Sequence, residues 1–415
     1  MTYTTMVIGG GIAGTTCAIA LHRAGLRATV YEAYGRTADS AGVYLTLAVN
    51  ALDALRAVDV DLRGLGFDTP RITMTSGSGR RLGELPYGTG LEATGPEATG
   101  REAGGGLTSR TVKRADLYRR LREEALRCGV RFEHGKRLVD AAPSGTSPSD
   151  GGVVASFADG TTAEGDLLIG ADGLRSRTRE ILAPDAPGAR YNGLLNTGGY
   201  ATGITVDSEP GMMNAIFGRR CFFAYTPHPD GEVWWVANPP SPVEPTPAEL
   251  AAISPEQWRR RLVDLFRDDK GPAADIIGAT EQIFAGWNTY DVPSVPVWHD
   301  GRTIIIGDAA HATAPSIGQG AAMAIEDAVV LAKCLRDRPT VGSAFTAYEG
   351  LRRERVERVV EQGRRTGGWK AVHPLAAVPR DLVMRFGMAH MARTGTDPSR
   401  WIYEHHINWD ERVAA

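Results

Sequence analysis

The chain opens with an apolar run, Thr4–Ile8, that reads as a buried strand. Small and apolar residues over Thr15–Ala24 predict a helix, and Gly25 stands where a helix-ending glycine belongs. Arg27–Glu32 returns to strand texture, so the chain starts as a βαβ unit with parallel strands. Leu117, Leu121 and Ala125 recur at spacings of four through Arg114–Arg127, which predicts an amphipathic helix closed by Gly129. Val130–Glu133, Arg137–Ala141 and Val153–Phe157 follow as strands, with a polar loop over Pro143–Gly152. Asp159-Gly160 predicts a tight turn into another apolar strand, Asp166–Ile169.

The texture changes from Tyr191 to Trp287. Short alternating runs, such as Phe222–Tyr225 and Val233–Ala237, are split by Pro, Asp and Gly, as in an antiparallel sheet. Pro239–Pro247 reads as a surface linker, and Ser76–Gly106, rich in Gly, Thr and Glu, as a loop or irregular strands. Arg302–Ile306 has the buried-strand texture again, followed by a helix over Ala321–Leu335. From Ser343 the chain reads as helices, with many charges around a thin apolar stripe in Tyr348–Arg365. The expected fold is α/β: a Rossmann-like domain with a βαβ start, an antiparallel-sheet domain and C-terminal helices. The expected nucleotide domain takes residues 1–70, 107–185 and 290–342, and the sheet domain takes 71–106 and 186–289. The helical region takes 343–415.

Composition narrows the function. Lys+Arg total 46 against 49 Asp+Glu, a net charge of −3, so nothing points to nucleic acid or an anionic membrane. Cys17, Cys128, Cys221 and Cys334 are far apart and form no CxxC, which fits a reduced cytoplasmic protein. No basic segment precedes an apolar run at the N-terminus, and no run is long enough to span a bilayer, so neither a signal peptide nor a membrane partner is expected.

The chemistry lies in three glycine-containing motifs. In MVIGGGIAG, Gly9, Gly11 and Gly14 form GxGxxG between a strand and a helix. One glycine makes the tight turn, one admits a pyrophosphate, and one lets helix and strand pack closely. Ile12 and Ala13 complete the turn, and the helix end supplies free amides to phosphate. Glu32 ends the second strand, where an acid accepts from a ribose. In DLLIGADGLRSRTR, a strand exits into Asp172-Gly173 and a basic helix start. In IIIGDAAHATAPSIGQG, a buried strand places Asp308 at the carboxyl end of a parallel sheet. Pro315, Gly318 and Gly320 then bring backbone against something flat, and the helix entered at Ala321 aims a positive dipole at it.

These motifs, in this order, resemble the FAD-dependent aromatic hydroxylases, the class A flavoprotein monooxygenases typified by p-hydroxybenzoate hydroxylase. The resemblance extends to Arg114 in VKRADLYRRL, to Phe222–Ala237 and to YEGLRRERVERV. It implies one FAD stretched along the domain. Its pyrophosphate would lie on Gly9–Gly14, its adenosine ribose on Glu32 and its ribityl chain on Asp308, with the isoalloxazine facing Pro315–Gly320. Arg114 would approach the phosphates or the ribityl chain, and Asp172 would support both FAD and the nicotinamide donor. The chain departs from many relatives at Ala33, at Val49 before Asn50, and at Ala321-Ala322 after the GQG turn.

The implied cycle starts with NAD(P)H reducing FAD. Reduced FAD would add O2 at C4a, and the distal oxygen would pass to a small or polycyclic aromatic substrate. The flavin carries this chemistry, so no residue is assigned as catalytic; no protein nucleophile and no metal cluster stands out. Phe217, Phe222, Tyr225, Trp234 and Trp235 are the candidate pocket wall, although alternate positions must face away. Tyr44, Tyr200, His228 and Arg219 are candidates to help deprotonate a phenol. His311 and the pair His405-His406 read as structural. A monomer or homodimer is expected. Three rivals share parts of this reading: an oxidase or dehydrogenase without oxygen insertion, a non-catalytic flavin-binding protein, and a flavin halogenase. The last is disfavoured because VWWVANPP lacks the Trp-x-Trp-x-Ile-Pro pattern.

Overall fold

The computed structural model describes residues 3–35, 43–88, 106–145, 151–370, 372–373 and 376–414. Its first layer is a six-stranded sheet in the order His299–Asp300, Thr303–Ile305, Leu167–Gly170, Thr4–Ile8, Arg27–Glu32, Arg131–His134. All neighbours run parallel except the short edge strand His299–Asp300. Val7 pairs with Val30 on one side and Ile169 on the other, so Thr4–Ile8 is central. Connections leave it in both directions, which opens a crevice at the carboxyl ends of the strands. The apolar strand residues are almost fully buried because helices cover the sheet.

The first helix spans Ile12–Arg23 rather than beginning at Thr15. Gly11 is already its N-cap, so Ile12, Ala13 and Gly14 form its first turn. This helix packs against a second long helix, Gly320–Asp337, through Cys17, Ala18 and Leu21 in one continuous core. The helix Arg114–Arg127 buries Leu117, Leu121 and Ala125, the residues spaced by four.

The second layer is an eight-stranded sheet. Its path runs Thr280–Ile283, Arg190–Ala201, Val233–Asn238, Phe222–Pro227, Met213–Phe217, Arg71–Ser76, Arg81–Pro86, and the eighth strand, Trp287–Asp291, pairs with Arg190–Ala201 off this path. The strands between Arg190 and Asp291 pair antiparallel with one another, as expected, and one parallel pairing joins them to an earlier strand. Met213–Phe217 pairs parallel to Arg71–Ser76, because strands far apart in sequence meet without a hairpin. The helices Pro247–Ala251, Pro255–Phe266 and Ala273–Gly278 were also not anticipated. The first two start in capping boxes, Thr246 with Glu249 and Ser254 with Gln257, each with proline at the first helical positions. These helices cover one face of the sheet with Trp258, Leu262, Phe266, Ile276 and Ile277. In the segment 76–106, Arg81–Pro86 is a regular strand; residues 89–105 lie outside the described ones.

The chain ends in helices Val341–Lys370, Ala377–Thr394 and Arg400–Tyr403. The first crosses the cofactor-side layer and reaches the second sheet. None of the described helices is long and apolar enough to cross a membrane.

Candidate functional site

The crevice begins at the glycine turn. Gly9 holds φ +103, and a Cβ there would strike the Ala171 carbonyl. A Cβ on Gly14 would run into the Gly9 carbonyl oxygen. A Cβ on Gly11 would meet nothing within 4 Å. Two glycines therefore serve packing, and the third faces open space, where a phosphate can approach the backbone. The helix behind it has no side-chain cap and no acid in its first turn, which leaves its positive end available to an anion. Ile12 is buried and Ala13 half-buried beneath this turn. Glu32 closes the far side: its carboxylate accepts from the Gly10 amide at 2.6 Å and from the Tyr34 amide at 2.9 Å.

The second half of the crevice starts at Asp308. Gly307 takes φ +61, and a Cβ there would lie 3.0 Å from the Ala13 Cβ, so the third motif packs against the first. Asp308 lies on the crevice wall with an exposed side chain. Enough protein surrounds it that desolvation raises its carboxyl pKa, against the opposing pull of His311 and Arg114. Exposure combined with that enclosure marks a concave site. Arg114 donates to the Tyr118 hydroxyl through Nε and Nη2, and its charge is felt at Asp308. Pro315 and Gly318 are exposed on the following turn, and Gly318 sits at φ +65. Gly320 and Ala321 then open a helix with no side-chain cap and no acid in its first turn. Gln319 Nε2, at this helix start, is buried without a hydrogen-bond partner among the described residues.

A charge network missed in the sequence lies beneath this turn. Asp327 accepts from His311 Nε2, from the Gly307 amide at 2.9 Å and from Arg352 Nε at 2.7 Å. Glu326 accepts from Arg352 at 2.6 Å, from two nitrogens of Arg355 at 2.8 Å, and from Asn50 at 2.7 Å. Asn50 also donates to Gln319 at 3.1 Å. Burial alone would raise the pKa of both acids. Arg352 and Arg355 instead hold Glu326 down to about 2, and His311 and Arg352 hold Asp327 below the usual carboxylate range. The signal was legible as acids inside an apolar helix, AIEDAV, with arginines spaced through RRERVER.

Asp172 stands differently from its expected role. Its carboxylate accepts from Ser176 Oγ at 2.5 Å and from the Thr178 amide and hydroxyl at 2.9 and 3.0 Å. It therefore organises the start of helix Arg177–Leu182, and the buried Arg179 ties that helix to the Ala309 carbonyl beside Asp308. The motif supports the crevice from behind.

The open face of the second sheet looks at this crevice. Tyr200 donates to the Val43 carbonyl at 2.9 Å, and Tyr44 to the Trp234 carbonyl at 3.5 Å. Tyr200, Trp234, Val236, Asn238, Phe217 and Phe222 share that face by alternation. Val236 is the only half-buried position in Val233–Asn238, and it packs at the edge of the cluster that holds Phe217 and Phe222. Trp235 and Tyr225 are corrections: both turn away and pack under the covering helices. Trp235 stacks on Phe223 and donates to Thr280 Oγ1 at 2.8 Å. Phe217 and Phe222 face inward but pack on each other and on Met384.

The candidate bases fare unevenly. Arg219 is exposed on the turn after Phe217, its amide held by Asp269, and faces no cavity. Burial raises the phenol pKa of Tyr44 and Tyr200 and keeps both protonated. His228 stacks on Trp234 at 5.0 Å. His406 bonds Asp53 at 2.8 Å, a packing role for the C-terminal segment. Among the described residues no cluster of three or more His, Cys, Asp or Glu is arranged to hold a metal.

The glycine turn, the two uncapped helix ends and Asp308 between them fit an extended dinucleotide. The FAD binding domain family matches residues 2–363. The chain is 32% identical over 380 residues to a 3-amino-4-hydroxybenzoate 2-monooxygenase of Streptomyces platensis, covering 87% of each chain. It is 27% identical over 367 residues to the aurachin C monooxygenase/isomerase of Stigmatella aurantiaca, covering 88% of each. The structure of Klebsiella pneumoniae HpxO with FAD and uric acid is similar at TM-score 0.78 and 25% identity, covering 94% of this chain and 95% of that one. The chain belongs to the FAD binding domain family, whose members include FAD-dependent aromatic monooxygenases.

Proposed function

We propose that this chain hydroxylates a small aromatic molecule bearing a ring hydroxyl, using FAD, NAD(P)H and O2. One observation carries the reading: a Cβ on Gly11 would meet open space and the Gly320 helix starts uncapped after Asp308, while Tyr200 of the second sheet reaches the Val43 carbonyl that also takes the Arg114 amide. Bound FAD supplies the oxygen-activating chemistry. The chain's residues bind, orient and exclude water. The Gly9–Gly14 turn receives the pyrophosphate, Glu32 the adenosine ribose, and Asp308 with Arg114 the ribityl chain. The amides at Gly320 and Ala321 favour negative charge at the flavin's pyrimidine edge. Tyr200, Trp234 and Val236 wall the substrate space and keep it dry.

The division into a cofactor domain (1–70, 107–185, 290–342), a substrate domain (71–106, 186–289) and a helical region (343–415) belongs to the same proposal. It is supported by the six-stranded and the eight-stranded sheets, which share no strand. A cytoplasmic monomer or homodimer is proposed, supported by four unpaired cysteines. Incubation with NAD(P)H, 18O2 and a panel of hydroxylated benzoates tests the reaction: one labelled oxygen should enter the product. NAD(P)H consumption that yields only hydrogen peroxide across the panel would instead fit an oxidase.

A further inference from the structure

The inner face of the second sheet carries one amine that the account above leaves unused. Lys370 ends the long helix Val341–Lys370, and its side chain is buried. Its Nζ donates to Asn238 Oδ1 at 3.0 Å and lies 4.0 Å from the centre of the Phe222 ring. Asn238 is itself fixed, donating to Asn196 Oδ1 at 3.1 Å and the Leu195 carbonyl at 3.3 Å. The amine is therefore held in place against the sheet face.

That place adjoins the proposed substrate wall. Asn238 and Val236 are two apart on one strand, so they share a face, and Val236 is the strand's one position that is not fully buried. The helix that delivers Lys370 also packs on the turn proposed to face the flavin. A Cβ on Gly367 would lie 2.9 Å from Ser316 Oγ, and one on Gly363 3.7 Å from Ile317 Cγ1. Lys370 is less than one helical turn past Gly367. The amine thus stands between the flavin-facing turn and the sheet.

We propose that Lys370 is the proton acceptor for the ring hydroxyl of the substrate. The hydroxyl O–H bond breaks, an N–H bond forms on Nζ, and the electron pair stays on oxygen. The products are an aromatic oxyanion and an ammonium ion beside it. The oxyanion feeds charge into the ring and makes its carbon a better acceptor of an electrophilic oxygen. This rests on the function proposed above and names the proton acceptor for it.

The surroundings suit an amine that is neutral before substrate arrives. Burial brings the Lys370 pKa down to about 7, with Cys221 pulling weakly the other way. Helix Ala377–Thr394 brings Arg380 close, but Arg380 is occupied by the Phe217, Gly218 and Trp369 carbonyls and by Asp381. Arg261 and Asp269 act on the neighbouring Cys221 from the far side of the strand. No carboxylate among the described residues ion-pairs with Lys370. The tyrosines that face the same space have pKa values raised by burial and cannot take the proton.

The probe is 4-nitrophenol, whose phenolate absorbs visible light and whose phenol does not. It is added to FAD-loaded protein in weak buffer at a pH just above 7, where the free amine is neutral, with proton release recorded and with Lys370→Met and Lys370→Arg alongside. The wild type should bind the dye as phenolate, with the phenolate band appearing in proportion to bound dye. Lys370→Met should bind it at least tenfold more weakly, or as the colourless phenol. Lys370→Arg, which carries a charge but cannot accept a proton, should bind the dye as phenolate only with more proton release to the medium than the wild type shows, and equal release in the two would overturn the assignment. Equal phenolate in wild type and Lys370→Met, or no dye binding by wild type, would overturn the assignment. The flavin spectrum of the same samples separates the two readings. Flavin retained with no Lys370 effect removes only this proposal, whereas protein that takes up no FAD removes the function as well.

Discussion

Arg352 donates through Nε to Asp327 at 2.7 Å and through Nη1 to Glu326 at 2.6 Å, all three side chains being buried. One guanidinium therefore locks two adjacent acids on the helix that starts at the GQG turn. Asp327 in turn holds the Gly307 amide, and Glu326 holds Asn50. The cofactor crevice rests on a charged keystone rather than on apolar packing alone. Removing one member leaves uncompensated buried charge, at a cost of about 3–5 kcal/mol. Arg352→Met should lower stability by that order in denaturant unfolding and speed FAD loss. Arg352→Lys should rescue little, because a single ammonium cannot replace the two-pronged grip.

The same network sets an acid limit. Glu326 has its pKa lowered to about 2 from the ordinary 4.5. A depressed carboxylate contributes its full stability above the unfolded pKa and loses it as pH falls through the folded value. The melting temperature should therefore drop between about pH 5 and pH 2. Glu326→Gln should start lower and show a shallower fall. Equal slopes in the two proteins would remove Glu326 from the network's pH response.

Gly11 and Gly14 should fail in different ways. A Cβ on Gly14 collides with the Gly9 backbone, so Gly14→Ala should be poorly folded. A Cβ on Gly11 has free space, so Gly11→Ala should fold with near wild-type circular dichroism yet release FAD readily. FAD retention by folded Gly11→Ala would contradict the pyrophosphate assignment.

Asp308→Ala should keep its fold and weaken FAD retention about tenfold, since its side chain faces the crevice and no hydrogen bond to it is present among the described residues. Tight flavin binding by this variant, measured by fluorescence of released FAD, would sink the ribityl role.

Trp235 and Val236 separate core from pocket. Trp235→Ala should destabilise by about 3–5 kcal/mol, because it empties the helix-covered core. Val236→Phe should leave the melting temperature nearly unchanged and alter which aromatics stimulate NAD(P)H oxidation. The opposite pattern would place the cavity on the other face of the sheet.

The cofactor crevice was legible because its determinants are local. Gly9, Gly11, Gly14 and Glu32 lie within one βαβ unit, and Asp308 follows its strand directly. Local geometry fixes such residues, so spacing alone reports them. The substrate face was not legible to the same degree. Trp234 and Trp235 are chemically identical neighbours, and only strand register decides that one faces the crevice and the other the helices. Met213–Phe217 pairs with Arg71–Ser76 across a long stretch of chain, a partnership that no periodicity announces. At Asp172 spacing alone leaves two roles open, because an acid at a strand end serves a helix start as readily as a ligand. Lys370 carried no motif at all; only the meeting of a helix end with a sheet face reveals it.

The most direct test of the central claim is the visible spectrum of the purified protein, recorded with FAD supplied and a hydroxylated aromatic present. NAD(P)H should bleach the flavin bands without oxygen, and admitted air should restore them while the aromatic gains one oxygen. A protein showing no flavin bands, before or after FAD is added, would contradict the cofactor and every step that depends on it.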